Sequence, residues 1–197
     1  MWEKLGEWDR RTFVYLNNLG VDNYDFFWVW ITQPKHWIPL YIAFILLFVF
    51  AFHWRRVLLS TLFTLITLGI TVGITLLVKN NIQRLRPNNT PALKGLIRVL
   101  QEPHNFSFFS GHASTSFAVT TFVVLVLRHK FKWIYLFYIW PILFVMSRIF
   151  VGVHYPGDIL VGAGVGTSIA FLCYWVYQKA VIKYFEVEHV PLDKDEV

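Results

Sequence analysis

The sequence predicts an all-α fold, a polytopic bundle of five to six transmembrane helices with an N-terminal interfacial amphipathic helix. Three observations predict it. Of the 197 residues, 56% are hydrophobic and 19% aromatic, more apolar surface than a water-soluble chain of this length can hide. Five long apolar runs follow one another, and polar or basic turns separate them. Each run approaches the roughly 20 residues that a helix needs to cross a hydrocarbon layer of about 30 Å.

Residues 1–35 are amphipathic and interrupted at Asn17, Asn18, Gly20, Asp22 and Asp25. They fit interfacial helices anchored by Phe26, Phe27, Trp28 and Trp30, with a poor sixth span as the alternative. The first two spans are expected at 37–54 and 57–78, within a segment 36–78, and carry no charge except His53 near the end of the first. Residues 79–109 form one long loop rich in Pro, Asn and basic residues, and a loop of that length points to function. The segment 110–178 holds three more spans, at 110–127, 133–152 and 156–178; His112 and Arg148 lie close to span ends. An ionisable group in a span is costly in lipid and marks a functional site by default. A charged tail, 179–197, is expected to fray. These segments make one membrane domain, 1–197, without internal repeats. The first residues carry alternating charges where a cleavable signal needs an apolar core, so insertion is expected to rely on the internal spans.

The formal net charge is +6, but the basic residues sit between apolar runs rather than along a polar stripe, which argues against nucleic acid. Cys173 is alone and lies in an apolar run, so no intrachain disulfide or zinc spacing is expected. Five crossings put the 79–109 loop and the 153–155 turn on the face of the N-terminus. Arg55 and Arg56, the turn with Arg128, Lys130 and Lys132, and the tail fall on the other. By the positive-inside rule the second face is cytoplasmic and the long loop extracytoplasmic.

Three clusters far apart in sequence then meet at one face. They are Lys79-x6-Arg86-Pro87, Ser110-Gly111-His112, and Ser147-Arg148-x5-His154-x3-Asp158. Each has an ordinary explanation alone. Lys79 and Arg86 suit snorkelling residues, Ser110 an N-cap, His112 an interfacial histidine, and Asp158 the start of a helix that opens with Pro156. Together they fit phosphate chemistry, which needs fixed positive charges and N–H donors where charge develops during in-line displacement. Lys79, Arg86 and Arg148 supply charge, and the N–H groups around Ser110, Gly111 and His112 make an anion site at a helix start. One of the two histidines can attack phosphorus and the other protonate the leaving oxygen, with Asp158 as the natural orienter of His154. Tyr155 precedes a proline, so His154 is expected in the turn with its ring exposed to the loop side.

With every spacing kept over about residues 57–178, these motifs resemble the type-2 phosphatidic acid phosphatases, a family of membrane lipid phosphatases that includes undecaprenyl diphosphate phosphatases. One departure is Phe109, where that family usually has proline. The resemblance implies His154 as nucleophile, Asp158 as its orienter and His112 as acid/base. It also implies Lys79, Arg86, Ser110, Gly111 and Arg148 as phosphate ligands, with no metal and no cofactor. The expected function is hydrolysis of a phosphomonoester or diphosphate on a lipid through a phosphohistidine. Candidate lipids are undecaprenyl diphosphate, phosphatidylglycerol phosphate, phosphatidic acid and lipid A, with Lys94, Arg98 and His104 as headgroup contacts or merely solvated loop residues. The alternatives are a lipid phosphotransferase using the same phosphohistidine and a non-catalytic lipid-binding membrane protein. The expected partners are the phosphorylated lipid and the bilayer, with no obligate protein partner. The expected place is the bacterial inner membrane, with the site facing the periplasm or outside.

Overall fold

The computed structural model describes residues 2–183, and the expectation of a frayed tail lies mainly outside them. Among these residues seven α-helices follow one another: α1 (Trp2–Asn18), α2 (Asp25–Ile31), α3 (Ile38–Ala51), α4 (Trp54–Ile82), α5 (Gly111–Leu127), α6 (Ile139–Phe150) and α7 (Pro156–Val181). The stretches Pro34–Ala51, Lys132–Phe150, Pro156–Val181 and one that opens at Trp54 are long and apolar enough to cross a membrane. Helix α5 is shorter, at 17 residues, but 13 of them are buried, as befits an apolar helix enclosed by its neighbours. Before Pro34 no described helix is long and apolar enough to cross.

The Ser110 N–H donates to the Asp158 carbonyl at 3.0 Å, which places the starts of α5 and α7 side by side. The two helices therefore run parallel, α6 returns antiparallel, and α4 ends at the same face. Small residues allow this close approach. A Cβ at Gly162 would stand 2.7 Å from the Ser110 carbonyl oxygen, and one at Gly166 would stand 2.0 Å from that of Ser114. On α4, Thr67, Thr71, Thr75 and Lys79 recur every four residues on one buried face. Each of these threonine hydroxyls donates at 2.7 Å to the carbonyl four residues back, so no hydroxyl is left unpaired among apolar helices. Lys79 lies next in that register and is carried inward by it. On the outer side of α4, Leu58, Leu62, Leu65 and Leu76 are exposed, as a lipid-facing surface requires.

Three expectations are corrected. Helix α4 continues to Ile82 and ends at Gln83 in the left-handed conformation (φ 52°), so Lys79 stands in a helix and the loop begins only at residue 83. The fourth span opens as a 3-10 helix, Lys132–Tyr138, before α6. The N-terminal segment is more than an interfacial anchor. Asp9, Phe13 and Asn17, at i, i+4 and i+8 of α1, are buried against the rest of the molecule. Asn17 donates to the carbonyls of Arg98 and Ile149 at 3.0 and 2.9 Å and accepts from the Arg98 N–H at 2.7 Å. Trp28 stacks on Phe150 with ring centroids 4.3 Å apart, whereas Phe26 remains 80% exposed. After α6 the chain turns at Gly152, where φ is +83° and a Cβ would meet the Arg98 carbonyl at 2.4 Å.

Candidate active site

The turn after α6 sets the centre of the site. Pro156 opens α7, and Asp158, one turn in, accepts the Tyr155 N–H at 3.2 Å in a capping box. The same oxygen, Oδ2, accepts the Ser107 hydroxyl and faces Nδ1 of His154 at 3.4 Å. The other oxygen, Oδ1, accepts from Arg84 at 2.7 Å. His154 is 1% exposed, not open to the loop side, because residues 83–110 fold back and set Arg86 and Ser107 over its ring. Arg86 Nη1 stands 2.9 Å from His154 Nε2. A guanidinium has only donors, so Nε2 is the acceptor and the proton of the neutral ring sits on Nδ1, toward Asp158. Burial, and then the cations of Arg86, Arg148, Lys79 and Arg84, hold the pKa of His154 well below the ordinary 6.5, which keeps the ring neutral.

The positive groups are held by neutral acceptors. Lys79 Nζ donates to the carbonyls of Phe106 and Ser107 at 2.6 and 3.2 Å. Arg86 donates to Asn105 Oδ1 at 2.7 Å and to the Val153 carbonyl at 2.9 Å. Arg148, 4% exposed, donates to the Thr32 hydroxyl and to Gln101 Oε1, the latter at 3.2 Å, while its buried Nε has no partner among the described residues. Ser110 caps α5, its Oγ accepting the Ala113 N–H at 3.4 Å. Its own N–H is already given to Asp158, which corrects the expectation that it points at a substrate. The N–H groups of Gly111 and His112, the first two positions of α5, have no acceptor within the helix. The His112 ring lies 4.9 Å from that of Phe144 and within electrostatic reach of Arg148, His154 and Arg86.

A cavity of ≈ 280 Å³ opens beside these groups, lined by Lys79, Asn105, Gly111, His112, Thr115 and Phe144. It shares Pro34, Tyr41, Val72 and Thr115 with an apolar groove of ≈ 500 Å³ between α3, α4 and α5, walled by Phe44, Phe48, Leu65, Leu68 and Val119.

All eight residues singled out in the sequence thus gather at one face. The loop basics do not join them: Lys94 and His104 are exposed, and Arg98 is paired with Asp22 and Asp25 at 2.7 and 2.6 Å. Six further residues that the motifs do not contain hold the site: Asp9, Thr32, Arg84, Gln101, Asn105 and Ser107. Only Asp9 had a sequence signal, its register with the apolar Phe13 on α1.

Fold and site together define a class: a polytopic helical membrane protein with three cations, a helix start, two histidines and an aspartate gathered at one face. Residues 57–182 match the model of the PAP2 superfamily, and the chain belongs to that family, as an integral membrane phosphatase. It is 25% identical over 200 residues to the lipid A 4'-phosphatase of Bacteroides thetaiotaomicron, covering 97% of this chain and 86% of that protein. Over 86 residues, 43% of this chain and 40% of that protein, it is 35% identical to an undecaprenyl-diphosphatase of Sulfolobus acidocaldarius. The transmembrane PAP2 type phosphatidylglycerolphosphate phosphatase of Bacillus subtilis shares its fold with a TM-score of 0.72 at 22% identity, over 92% of this chain and 89% of that one.

Proposed function

We propose that this protein hydrolyses phosphate from a membrane lipid, a lipid A-type phosphate first among the candidates, through a phosphohistidine at His154. The observation that carries the reading is the pairing of Nε2 with Arg86. It leaves the lone pair on Nε2 and the proton on the side of Asp158, the tautomer a nucleophile requires. A phosphate entering between Lys79, Arg86 and Arg148 competes for Arg86 and frees Nε2 to attack. In the first step a bond forms between Nε2 and phosphorus, the bond from phosphorus to the lipid oxygen breaks, and His112 gives that oxygen a proton. In the second, His112 takes a proton from water, the water oxygen bonds to phosphorus, the N–P bond breaks and inorganic phosphate leaves. Lys79, Arg86 and Arg148, with the N–H groups of Gly111 and His112 and the hydroxyl of Ser110, stabilise the charge on the phosphoryl oxygens.

The apolar groove that joins the cavity suits a hydrocarbon chain attached to the phosphate. The lipid A preference rests on likeness to the Bacteroides protein along nearly the whole chain. Undecaprenyl diphosphate is the second reading, on the local likeness to the Sulfolobus protein. The positive-inside pattern supports a bacterial inner-membrane protein whose site faces outward. The domain reading becomes one membrane domain whose catalytic loop begins after Ile82.

The test is inorganic phosphate release by detergent-purified protein from lipid A, undecaprenyl diphosphate, phosphatidylglycerol phosphate and phosphatidic acid, beside His154→Asn and His112→Asn. Release from one lipid, lost with His154→Asn and reduced about 10²- to 10⁴-fold with His112→Asn, supports the reading. Near-parental activity of His154→Asn refutes it. Phosphate delivered to a second lipid in place of free phosphate shows a phosphotransferase.

A further inference from the structure

A second charged assembly stands behind His154, outside the motifs. Arg84 bridges two carboxylates, with Nη1 at 2.7 Å from Asp158 Oδ1 and Nη2 at 2.7 Å from Asp9 Oδ2. Asp9 Oδ1 accepts the Gly157 N–H at 2.7 Å, one of the free donors at the start of α7. A Cβ at Gly157 would lie 2.9 Å from that carboxylate, so glycine is what lets α1 come this near. The Arg84 guanidinium also lies over the Tyr155 ring at 4.0 Å, and the Arg84 carbonyl accepts the N–H of Ser107, whose hydroxyl reaches Asp158. Arg84, Ser107 and the His154–Tyr155 turn therefore meet the Asp158 carboxylate directly, and α1 reaches it through Arg84.

We propose that Arg84 and Asp9 are positioning residues for the His154–Asp158 pair: Asp9 fixes Arg84, and Arg84 fixes Asp158 and draws on its charge. This rests on the phosphohistidine reading. Asp158 has one oxygen committed to Arg84, so the other can face Ser107, Tyr155 and His154 without rotating. Sharing the carboxylate with Arg84 also weakens its pull on a proton at His154. Asp9 sets how much of the Arg84 charge remains for Asp158. The Arg84 charge is already met by two carboxylates, unlike that of Arg86 or Arg148, so it is not a phosphate ligand.

The charged groups acting on His154 are Arg86, Arg148, Lys79, Arg84 and Asp158, with His112 as a titratable neighbour, Asp9 behind Arg84, and Ser107 as the adjacent hydroxyl. Substituting only Arg84 or Asp9 leaves the remainder in place, so a change in pH profile reports the bridge. The experiment measures kcat and KM against pH for Arg84→Gln, Arg84→Lys and Asp9→Asn in detergent, with lipid A as substrate and phosphate release as readout. Arg84→Gln is expected to lower kcat ~10- to 100-fold, as a misplaced reacting pair does, with KM held within about twofold. Its acid limb moves to higher pH, because a cation has been removed and Asp158 acts on His154 undivided. Arg84→Lys keeps the limb in place. Asp9→Asn lowers kcat and leaves the limb at or below the parental pH, because the charge that offsets Arg84 is gone.

An unmoved acid limb in folded Arg84→Gln makes the bridge structural only and overturns the proposal. So does a loss confined to KM, which would make Arg84 a substrate ligand. If Arg84→Gln does not fold, Asp9→Asn decides, and a limb moved to higher pH there overturns the proposal. Full activity in His154→Asn, by contrast, strikes the phosphohistidine reading itself, whatever the Arg84 variants do.

Discussion

Asp158→Asn changes one oxygen into an amide nitrogen at the most densely bonded carboxylate of the site. Asp158 is fully buried; Oδ1 accepts from Arg84 at 2.7 Å, while Oδ2 accepts from Ser107 and the Tyr155 N–H and faces His154 Nδ1 at 3.4 Å. Asparagine offers a single acceptor oxygen, so one of these two sides loses its partner. If the amide nitrogen faced Oδ2's partners, the buried Tyr155 N–H would be orphaned. His154 would also have to accept at Nδ1, which moves its proton to Nε2, against Arg86. If the nitrogen faces Arg84, one charge-assisted bond worth about 1.5–3 kcal/mol is lost. Arg84 then keeps Asp9 and, with a side chain 27% exposed, reaches water. The second orientation costs less and preserves the tautomer. The variant should therefore fold, with a lower unfolding midpoint, and yet lose roughly 10²- to 10⁴-fold in kcat, because the charge that stabilises the cationic ring during attack is gone. Phosphate release at saturating lipid, on protein shown to be monodisperse by size exclusion, measures this. Activity above about a tenth of the parent in that folded variant would refute the assignment of Asp158 as orienter.

Three further outcomes follow from distances and burial. Gly166→Ala drives a Cβ toward the Ser114 carbonyl, 2.0 Å away, and should separate α5 from α7, lowering the unfolding midpoint and the activity together; Gly164→Ala, with nothing within 4 Å, should leave both intact or raise stability slightly. An equal effect of the two substitutions in thermal unfolding would show that the α5–α7 contact does not limit stability. The acid limb of kcat/KM should lie well below pH 6.5, since burial and four cations oppose protonation of His154, and protonation is what would remove its lone pair. The same depression makes stability fall as pH drops through 6.5, where the unfolded chain takes up a proton at His154 that the folded chain refuses. A limb at or above 6.5 would show that the ring is not held neutral.

The spans were legible because a bilayer demands one thing of every crossing, a long apolar run, and each core run surfaced within a few residues of its helix. The eight motif residues were legible because three fixed spacings fell on one face once the spans were counted. What held them in place was not. Ser107 and Asn105 sit in a loop whose path depends on where Lys79 and Arg86 pull it, and no local periodicity encodes that path. Thr32 and Gln101 meet Arg148 across 116 and 47 residues of chain. The burial of His154 escapes the sequence for the same reason. A turn between two spans is open unless a distant loop closes over it.

The partners of the basic residues also sort them by purpose. Arg98 lies against Asp22 and Asp25, and Arg84 against Asp9 and Asp158, so both are compensated and tie the chain to itself. Among the described residues, the hydrogen-bond partners of Lys79, Arg86 and Arg148 are carbonyls, amides, a hydroxyl and a neutral imidazole. Such acceptors fix the direction of a cation and leave its charge intact. Burying cations whose bonded partners are all neutral costs several kcal/mol; the nearby charge of Asp158 offsets part of that for Lys79 and Arg86, and a further negative group in the working state would offset more. In the function proposed above that group is the lipid phosphate, which would be gripped most strongly where its charge grows, the difference between binding a phosphate and catalysing its hydrolysis. The matched family region begins at residue 57, yet Asp9 and Thr32 lie before it: Asp9 is the second carboxylate on Arg84, and Thr32 is a neutral acceptor that orients Arg148 without cancelling its charge.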